Sequence, residues 1–211
     1  MKKELLELYF VLGSPNCDRD PRHVVREAIE GGITFFQFRE KGNGSLVDSE
    51  KQALAKDLLS ICREHNIPFI VNDDIDLALE IDADGIHIGQ EDESVISARE
   101  RIGNKILGVS VHNVEEALAA VKAGADYLGV GPMYETSTKT DIREVQGPEV
   151  IELIREAGVT LPIVGIGGIS QGKAEAIIKA GADGVAVISA ISKAESPLKS
   201  AQELVSEVRK S

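Results

Sequence analysis

Short apolar runs, each closed by a polar tip, alternate with amphipathic stretches along the whole chain. The runs fall at 8–12, 34–38, 69–71, 85–88, 106–109, 127–130, 162–166 and 184–188. Runs of this length bounded by turn residues predict buried strands of a parallel sheet. Between them, helical patterns cover 21–30, 49–65, a stretch from near 75, 114–123, 148–157 and 197–209. Pro21 behind Asp20 is the expected chemistry of a helix start. The segment Lys122-Ala123-Gly124-Ala125-Asp126 recurs as Lys179-Ala180-Gly181-Ala182-Asp183, and a shorter version, Asp82-Ala83-Asp84-Gly85, precedes the fourth run. Each sits at a helix end and feeds a strand, where glycine suits the left-handed C-cap. About eight such β/α units without a linker predict an α/β protein, a (β/α)8 TIM barrel forming a single domain over residues 1–211. An open doubly wound sheet is the second choice, and no Gly-x-Gly-x-x-Gly follows the first strand.

Composition narrows the function classes. A chain of 211 residues with ordinary hydrophobic content supports one sizeable core. A net charge of −12 argues against nonspecific nucleic-acid binding. It leaves anionic small substrates open, because a local field can oppose the global one. No apolar run reaches bilayer length, and Met1-Lys2-Lys3-Glu4 lacks a signal peptide's apolar core. Cys17 and Cys62 have no metal-ligand spacing and suit a reducing cytoplasm. The expected partners are therefore small molecules, with neither nucleic acid nor membrane. Self-association into a homo-oligomer stays open.

Barrel sites are built from the loops after the strands. Two neighbouring tips carry acids, Asn72-Asp73-Asp74 and Gln90-Glu91-Asp92. Parallel neighbours end about 5 Å apart, so Asp73 and Asp92 are placed to share one hard cation. Mg²⁺ commonly takes one or two carboxylates plus substrate phosphates. Spacing alone leaves a second reading open, in which Asp73 or Asp74 caps the helix starting near Ile75. If the fourth tip stays extended, Glu91 faces away from Asp92.

The second strand ends Gln37-Phe38-Arg39-Glu40-Lys41. Extended geometry sends Gln37, Arg39 and Lys41 one way, Phe38 and Glu40 the other. The first row suits a polyanion or is a solvated basic strand end. After the sixth strand a segment from Met133 to about Gln146 contains Thr136-Ser137-Thr138-Lys139. It has the length of a lid or is a plain surface loop. The seventh and eighth strands end in Gly165-Ile166-Gly167-Gly168-Ile169 and Ile188-Ser189-Ala190. Glycine lets backbone N–H groups approach an anion, and this is where barrels repeatedly hold phosphate; tight packing is the alternative. His87, inside the fourth strand, reads as a core or pore residue. His23 and His65 read as solvated helix residues, and His112 near the mouth is a candidate. No Ser/His/Asp or Cys/His arrangement emerges, so no covalent nucleophile is indicated.

Taken in order, several segments resemble thiamine-phosphate synthase. They are Gln37-Phe38-Arg39-Glu40-Lys41, Val71-Asn72-Asp73-Asp74, His87-Ile88-Gly89-Gln90-Glu91-Asp92, Gly108-Val109-Ser110, Gly129-Val130-Gly131-Pro132, Thr136-Ser137-Thr138-Lys139, Val164-Gly165-Ile166-Gly167-Gly168-Ile169 and Val187-Ile188-Ser189. They span nearly the whole chain. The resemblance implies a transferase that joins hydroxymethylpyrimidine diphosphate to a (carboxy)thiazole phosphate. The products are thiamine phosphate and diphosphate, formed through a dissociative pyrimidine cation. It implies Lys139, Arg39 and Ser110 as catalytic. It implies pyrimidine diphosphate contacts from Gln37 through Lys41, Phe38 and Glu40 included, with Asn72, Ser110 and Lys139. It implies thiazole phosphate contacts from Thr136, Ser137, Thr138, Gly168, Ile188 and Ser189, and Mg²⁺ as cofactor on Asp73 and Asp92. The rival readings are the related thiazole tautomerase, for which Ser110-Val111-His112 would serve, and a non-catalytic phosphate-ligand sensor. Arg39, Lys41, the acid pair and Thr136 to Lys139 weigh against both.

Overall fold

The computed structural model describes residues 1–136 and 144–210. Its strands are β1 Leu8–Leu12, β2 Phe35–Phe38, β3 Phe69–Asn72, β4 Gly85–Ile88, β5 Ile106–Val111, β6 Tyr127–Val130, β7 Ile163–Ile166 and β8 Gly184–Val187. Each pairs in parallel with the next, and β8 returns to β1, closing the TIM barrel. Around it lie α1 Pro21–Glu30, α2 Asp48–Glu64, α3 Ile75–Glu80, α4 Val95–Ile102, α5 Val114–Lys122, α6 Glu149–Glu156, α7 Ala174–Lys179, α8 Ser189–Ser192 and α9 Pro197–Lys210. Helix starts follow side-chain chemistry: Asp20, Asp74, Ser94 and Asn113 each accept a backbone N–H from the first turn they precede.

Strand alternation sorts the apolar residues into two shells. Leu8, Phe10, Leu12, Phe36 and Phe38 pack outward against the helices. Tyr9, Val11, Phe35, Ile70, Tyr127, Val164, Ala186 and Ile188 fill the barrel. Tyr9 meets Phe35 edge-on with ring centroids 4.8 Å apart. The interior is thus solidly packed below, and the site is confined to the upper end.

The repeated Ala-Gly-Ala-Asp corners turn out to be anchors. Gly124 and Gly181 adopt φ of +94° and +104°, as the C-cap expectation requires. Asp126 accepts the Leu107 N–H at 2.8 Å and Asp183 the Ile163 N–H at 2.9 Å. Arg99 donates to Asp126 at 2.6 Å and to the Gly124 carbonyl; Arg155 donates to Asp183 at 2.7 Å and to the Gly181 carbonyl. Asp84 likewise accepts Phe69 N–H at 2.8 Å, and the Thr34 hydroxyl accepts Leu8 N–H at 3.0 Å. In all four cases a side chain just before an even strand holds the start of the preceding odd strand.

The eight strands match the hydrophobic pattern to within two residues at each end. The pattern did not delimit α4, because Ile96 on its polar side is exposed and blurs the period. It also missed α8, a single turn that takes up Ser189. β5 runs past the expected end at 109 to Val111, so Ser110 lies within the strand. Cys17 and Cys62 are both free thiols. Among the described residues no helix is long and apolar enough to cross a membrane.

Candidate active site

A cavity of about 350 Å³ opens at the carboxyl end of the strands, within the range of small-molecule sites. Arg39, Lys41, Asn72, Asp73, Asp92, Ser110, Thr136, Gly168, Ile188 and Ser189 all line it. Most of the sequence-derived candidates thus converge on one place. Ser137, Thr138 and Lys139 lie outside the described residues. Gln37 sits beneath the cavity, its Nε2 donating to the Tyr9 hydroxyl at 2.6 Å. Phe38 does not reach the cavity: it faces the helices and stacks on Phe69 with centroids 6.3 Å apart. Glu40 does not reach it either. Its carboxylate accepts Ser14 N–H and Leu46 N–H, both at 2.8 Å, and the Ser14 hydroxyl. The reason is strand parity, which turns positions 38 and 40 away from the row of Gln37, Arg39 and Lys41.

The two readings of the acids after β3 resolve into separate residues. Asp74 is the cap: its carboxylate accepts Leu77 N–H at 3.0 Å and pairs with Lys51 at 2.6 Å. Asp73 lines the cavity and accepts from Lys41 Nζ at 2.8 Å. Its backbone holds φ of +61°, a left-handed conformation that Asp tolerates better than most residues. After β4 the chain turns instead of staying extended, so Glu91 and Asp92 both line the cavity. The turn is closed by Gly89 N–H donating to Asp92 at 2.7 Å.

Asp73 and Asp92 press against each other. The bridge to Asp73 holds the Lys41 ammonium above its ordinary pKa. Asp73 is nevertheless not held down. Burial pushes its carboxyl up, and the neighbouring Asp92 carboxylate adds to this, together outweighing Lys41. Two crowded carboxylates of this kind welcome a cation in place of a proton. Among the described residues no cluster of three or more His, Cys, Asp or Glu could hold a metal. A hard ion here would therefore complete its shell with water and ligand oxygens, as Mg²⁺ does.

Arg39 is 6% exposed, and among the described residues its guanidinium has no hydrogen-bond or ion-pair partner. A buried charge without a partner is costly, and this one faces the cavity.

On the opposite wall the loop after β7 meets the segment after β6. Gly167 and Gly168 have φ of +102° and +67°. A Cβ at Gly168 would lie 2.5 Å from the Glu135 carbonyl oxygen, so glycine is required by both backbone and space. Met133 N–H and Tyr134 N–H donate to Ile166 and Gly167 carbonyls, and Gln146 N–H donates to the Pro132 carbonyl. Lys173 sits over the Tyr134 ring and donates to the Gly168 carbonyl at 3.1 Å. The segment that follows β6 is thus tied at both of its roots.

His87 is a satisfied pore residue, as its place inside the fourth strand suggested. Its Nδ1 lies 2.9 Å from the Tyr127 hydroxyl and its Nε2 2.8 Å from Ser110 Oγ. Tyr9 and Tyr127 were not legible as polar participants, since each sits in an apolar strand; only inward parity could have flagged them. His112 lines the cavity and is tied to Glu116 at 2.8 Å.

The family model for thiamine monophosphate synthase matches residues 8–191. The thiamine-phosphate synthase of Geobacillus kaustophilus (strain HTA426) is 58% identical over 207 residues, covering 98% of this chain and 94% of that one. That of Bacillus thuringiensis (strain Al Hakam) is 58% identical over 208 residues, covering 99% and 95%. The solved thiamine phosphate pyrophosphorylase of Pyrococcus furiosus superposes with a TM-score of 0.88 at 39% identity, covering 99% of this chain and 98% of that one. This chain belongs to the thiamine monophosphate synthase family.

Proposed function

We infer that this chain is a thiamine-phosphate synthase, a transferase that joins hydroxymethylpyrimidine diphosphate to thiazole phosphate and releases diphosphate. The observation that carries the reading is Arg39: a buried guanidinium without a partner among the described residues, beside Lys41 and facing a cavity of substrate size. An anion entering the cavity would relieve that cost.

The reaction breaks the bond between the pyrimidine methylene carbon and the diphosphate oxygen, and the electron pair leaves with diphosphate. The thiazole nitrogen then gives its lone pair to that carbon, forming the new C–N bond. The protein's task is to stabilise the departing anion and keep water from the cation. Arg39 and Lys41 supply positive charge, and we assign Lys139 the same role. Asn72 and Ser110 hold the pyrimidine diphosphate. Thr136, Ser137, Thr138, Gly168, Ile188 and Ser189 form the thiazole phosphate side. Asp73 and Asp92 would hold Mg²⁺, which when bound adds positive charge opposite the diphosphate. The packed barrel interior beneath the cavity shields the reacting carbon from solvent on that side. The nucleophile belongs to the substrate, so the Ser110 hydroxyl, held by His87 at 2.8 Å, need not act as one. Free thiols support placing the enzyme in a reducing cytoplasm.

The test is to incubate purified protein with both substrates and Mg²⁺ and measure diphosphate and thiamine phosphate. Stoichiometric formation of both supports the reading. Binding without turnover, or thiazole isomerisation without diphosphate release, overturns it.

A further inference from the structure

We propose that the buried row Gln37, Tyr9, Tyr127 and His87 is a polarised hydrogen-bond relay that fixes the Ser110 hydroxyl as a donor into the cavity. The inference rests on the synthase reading for its kinetic consequence, but not for the relay itself.

The direction follows from counting protons. Gln37 Nε2 can only donate, and it lies 2.6 Å from the Tyr9 oxygen. Tyr9 and Tyr127 oxygens are 2.7 Å apart. Burial pushes both phenols well up, so each keeps its single proton. With Gln37 occupying Tyr9 as a donor, the Tyr9 proton points to Tyr127. Tyr127 then directs its own proton to His87 Nδ1 at 2.9 Å. Nδ1 is thereby an acceptor, and neutral imidazole carries its hydrogen on Nε2. Nε2–H donates to Ser110 Oγ at 2.8 Å. Ser110 accepts from below, so its own hydrogen turns towards the cavity it lines. Diphosphate oxygens and pyrimidine ring nitrogens are acceptors, the partners such a hydrogen needs. An imidazolium would break the row: Tyr127 would accept from both neighbours and its proton would be buried without a partner.

Two strand glycines make room for the row. A Cβ at Gly108 would lie 2.1 Å from Tyr127 Cζ and 2.5 Å from His87 Nδ1, and one at Gly129 3.1 Å from His87 Cε1. Gly108 and Gly129 therefore accommodate the rings that orient Ser110. Tyr9, Tyr127 and His87 are positioning residues that act through Ser110.

The experiment begins with ¹⁵N-histidine protein without substrate. Long-range ¹H–¹⁵N spectra report the His87 tautomer, with His87→Gln identifying its signals. A neutral ring protonated at Nε2 is expected; protonation at Nδ1 would mean that the row runs the other way and overturns the proposal. This result stands even if the chain lacked synthase activity. The second arm is Tyr127→Phe, which removes one oxygen and keeps the ring. It should lower kcat about tenfold, the worth of a mispositioned hydrogen bond, with KM for thiazole phosphate unchanged. Ser110→Ala should cost clearly less in the Tyr127→Phe background than in wild type. Additive losses would make Tyr127 a packing residue only and overturn the relay. If Tyr127→Phe does not fold, the wild-type tautomer decides.

Discussion

Replacing Arg39 by Met should make the substrate-free protein more stable while disabling it. Met keeps an unbranched stem in the same space but removes the charge. In the folded protein Arg39 is 6% exposed and its guanidinium has no partner among the described residues. Burying an ion costs several kcal/mol; the open, wet cavity above Arg39 reduces this to about 1–3 kcal/mol. For a chain of this length each kcal/mol moves the melting temperature by about 2–4 °C. The substrate-free variant should therefore melt about 2–12 °C higher than wild type. Ligand should reverse the order. Mg²⁺-diphosphate at about a hundredfold excess over Kd stabilises wild type by about 2.7 kcal/mol, and the variant should lose most of that shift. Its kcat/KM should fall by about 10²–10³, the usual loss when one electrostatic contact to a developing charge is removed. Calorimetry with and without Mg²⁺-diphosphate, plus initial rates, measures all three. A variant that melts several degrees below wild type and keeps the diphosphate shift would show that Arg39 is a structural residue.

Three further outcomes are expected. In chelator, Asp92→Asn should melt like wild type at low pH and above it at neutral pH. Asp73's raised pKa means that the fold binds its proton more tightly than the unfolded chain, so wild type loses stability as pH rises through the carboxylate range. A constant difference across pH would refute the crowding, and an unchanged Mg²⁺ requirement in rate titrations would remove the acid pair from metal binding. Lys139→Ala should slow diphosphate release by about 10²–10³; wild-type turnover would withdraw Lys139 from the leaving group. Asp183→Ala strips the acceptor from Ile163 N–H and the partner from Arg155, and should cost about 3 kcal/mol in urea unfolding; a loss under about 0.5 kcal/mol would make the corner decorative.

The strand order and the location of the site could be read from the chain because both follow from periodicity. Eight apolar runs with polar tips allow few architectures, and in a parallel barrel all tips meet. What could not be read depended on contacts distant in sequence. Parity correctly separated Arg39 and Lys41 from Phe38 and Glu40, yet the family resemblance pulled all four into one contact set. Gln37 has the right parity but is one layer too deep, where the hydroxyl of Tyr9 on the neighbouring β1 receives it. The choice between capping and metal binding for Asp73 and Asp74 hinged on which carboxylate found Leu77 N–H. Glu91 was misplaced because the chain after β4 turns through a bond between Gly89 and Asp92. The relay was hidden for a different reason: tyrosines in strands register as apolar, and their hydroxyls matter only once five strands have closed around them.

The anchors beneath the barrel carry a consequence for how such a protein could arise and be rebuilt. Thr34, Asp84, Asp126 and Asp183 each hold the preceding odd strand by its first N–H groups. The ring therefore has a beat of two strands. Its natural brick is one odd strand, a helix and one even strand, closed at the bottom by its own side chain. Growth by duplication of such a brick would leave this mark, with the Gly-Ala-Asp echo as its best-preserved trace in the later half. Transplants and permutations that respect the bricks keep every bottom anchor within one piece, and those that cut through a brick sever one. The upper rim, where the chemistry differs from tip to tip, can then diversify over a base that stays the same.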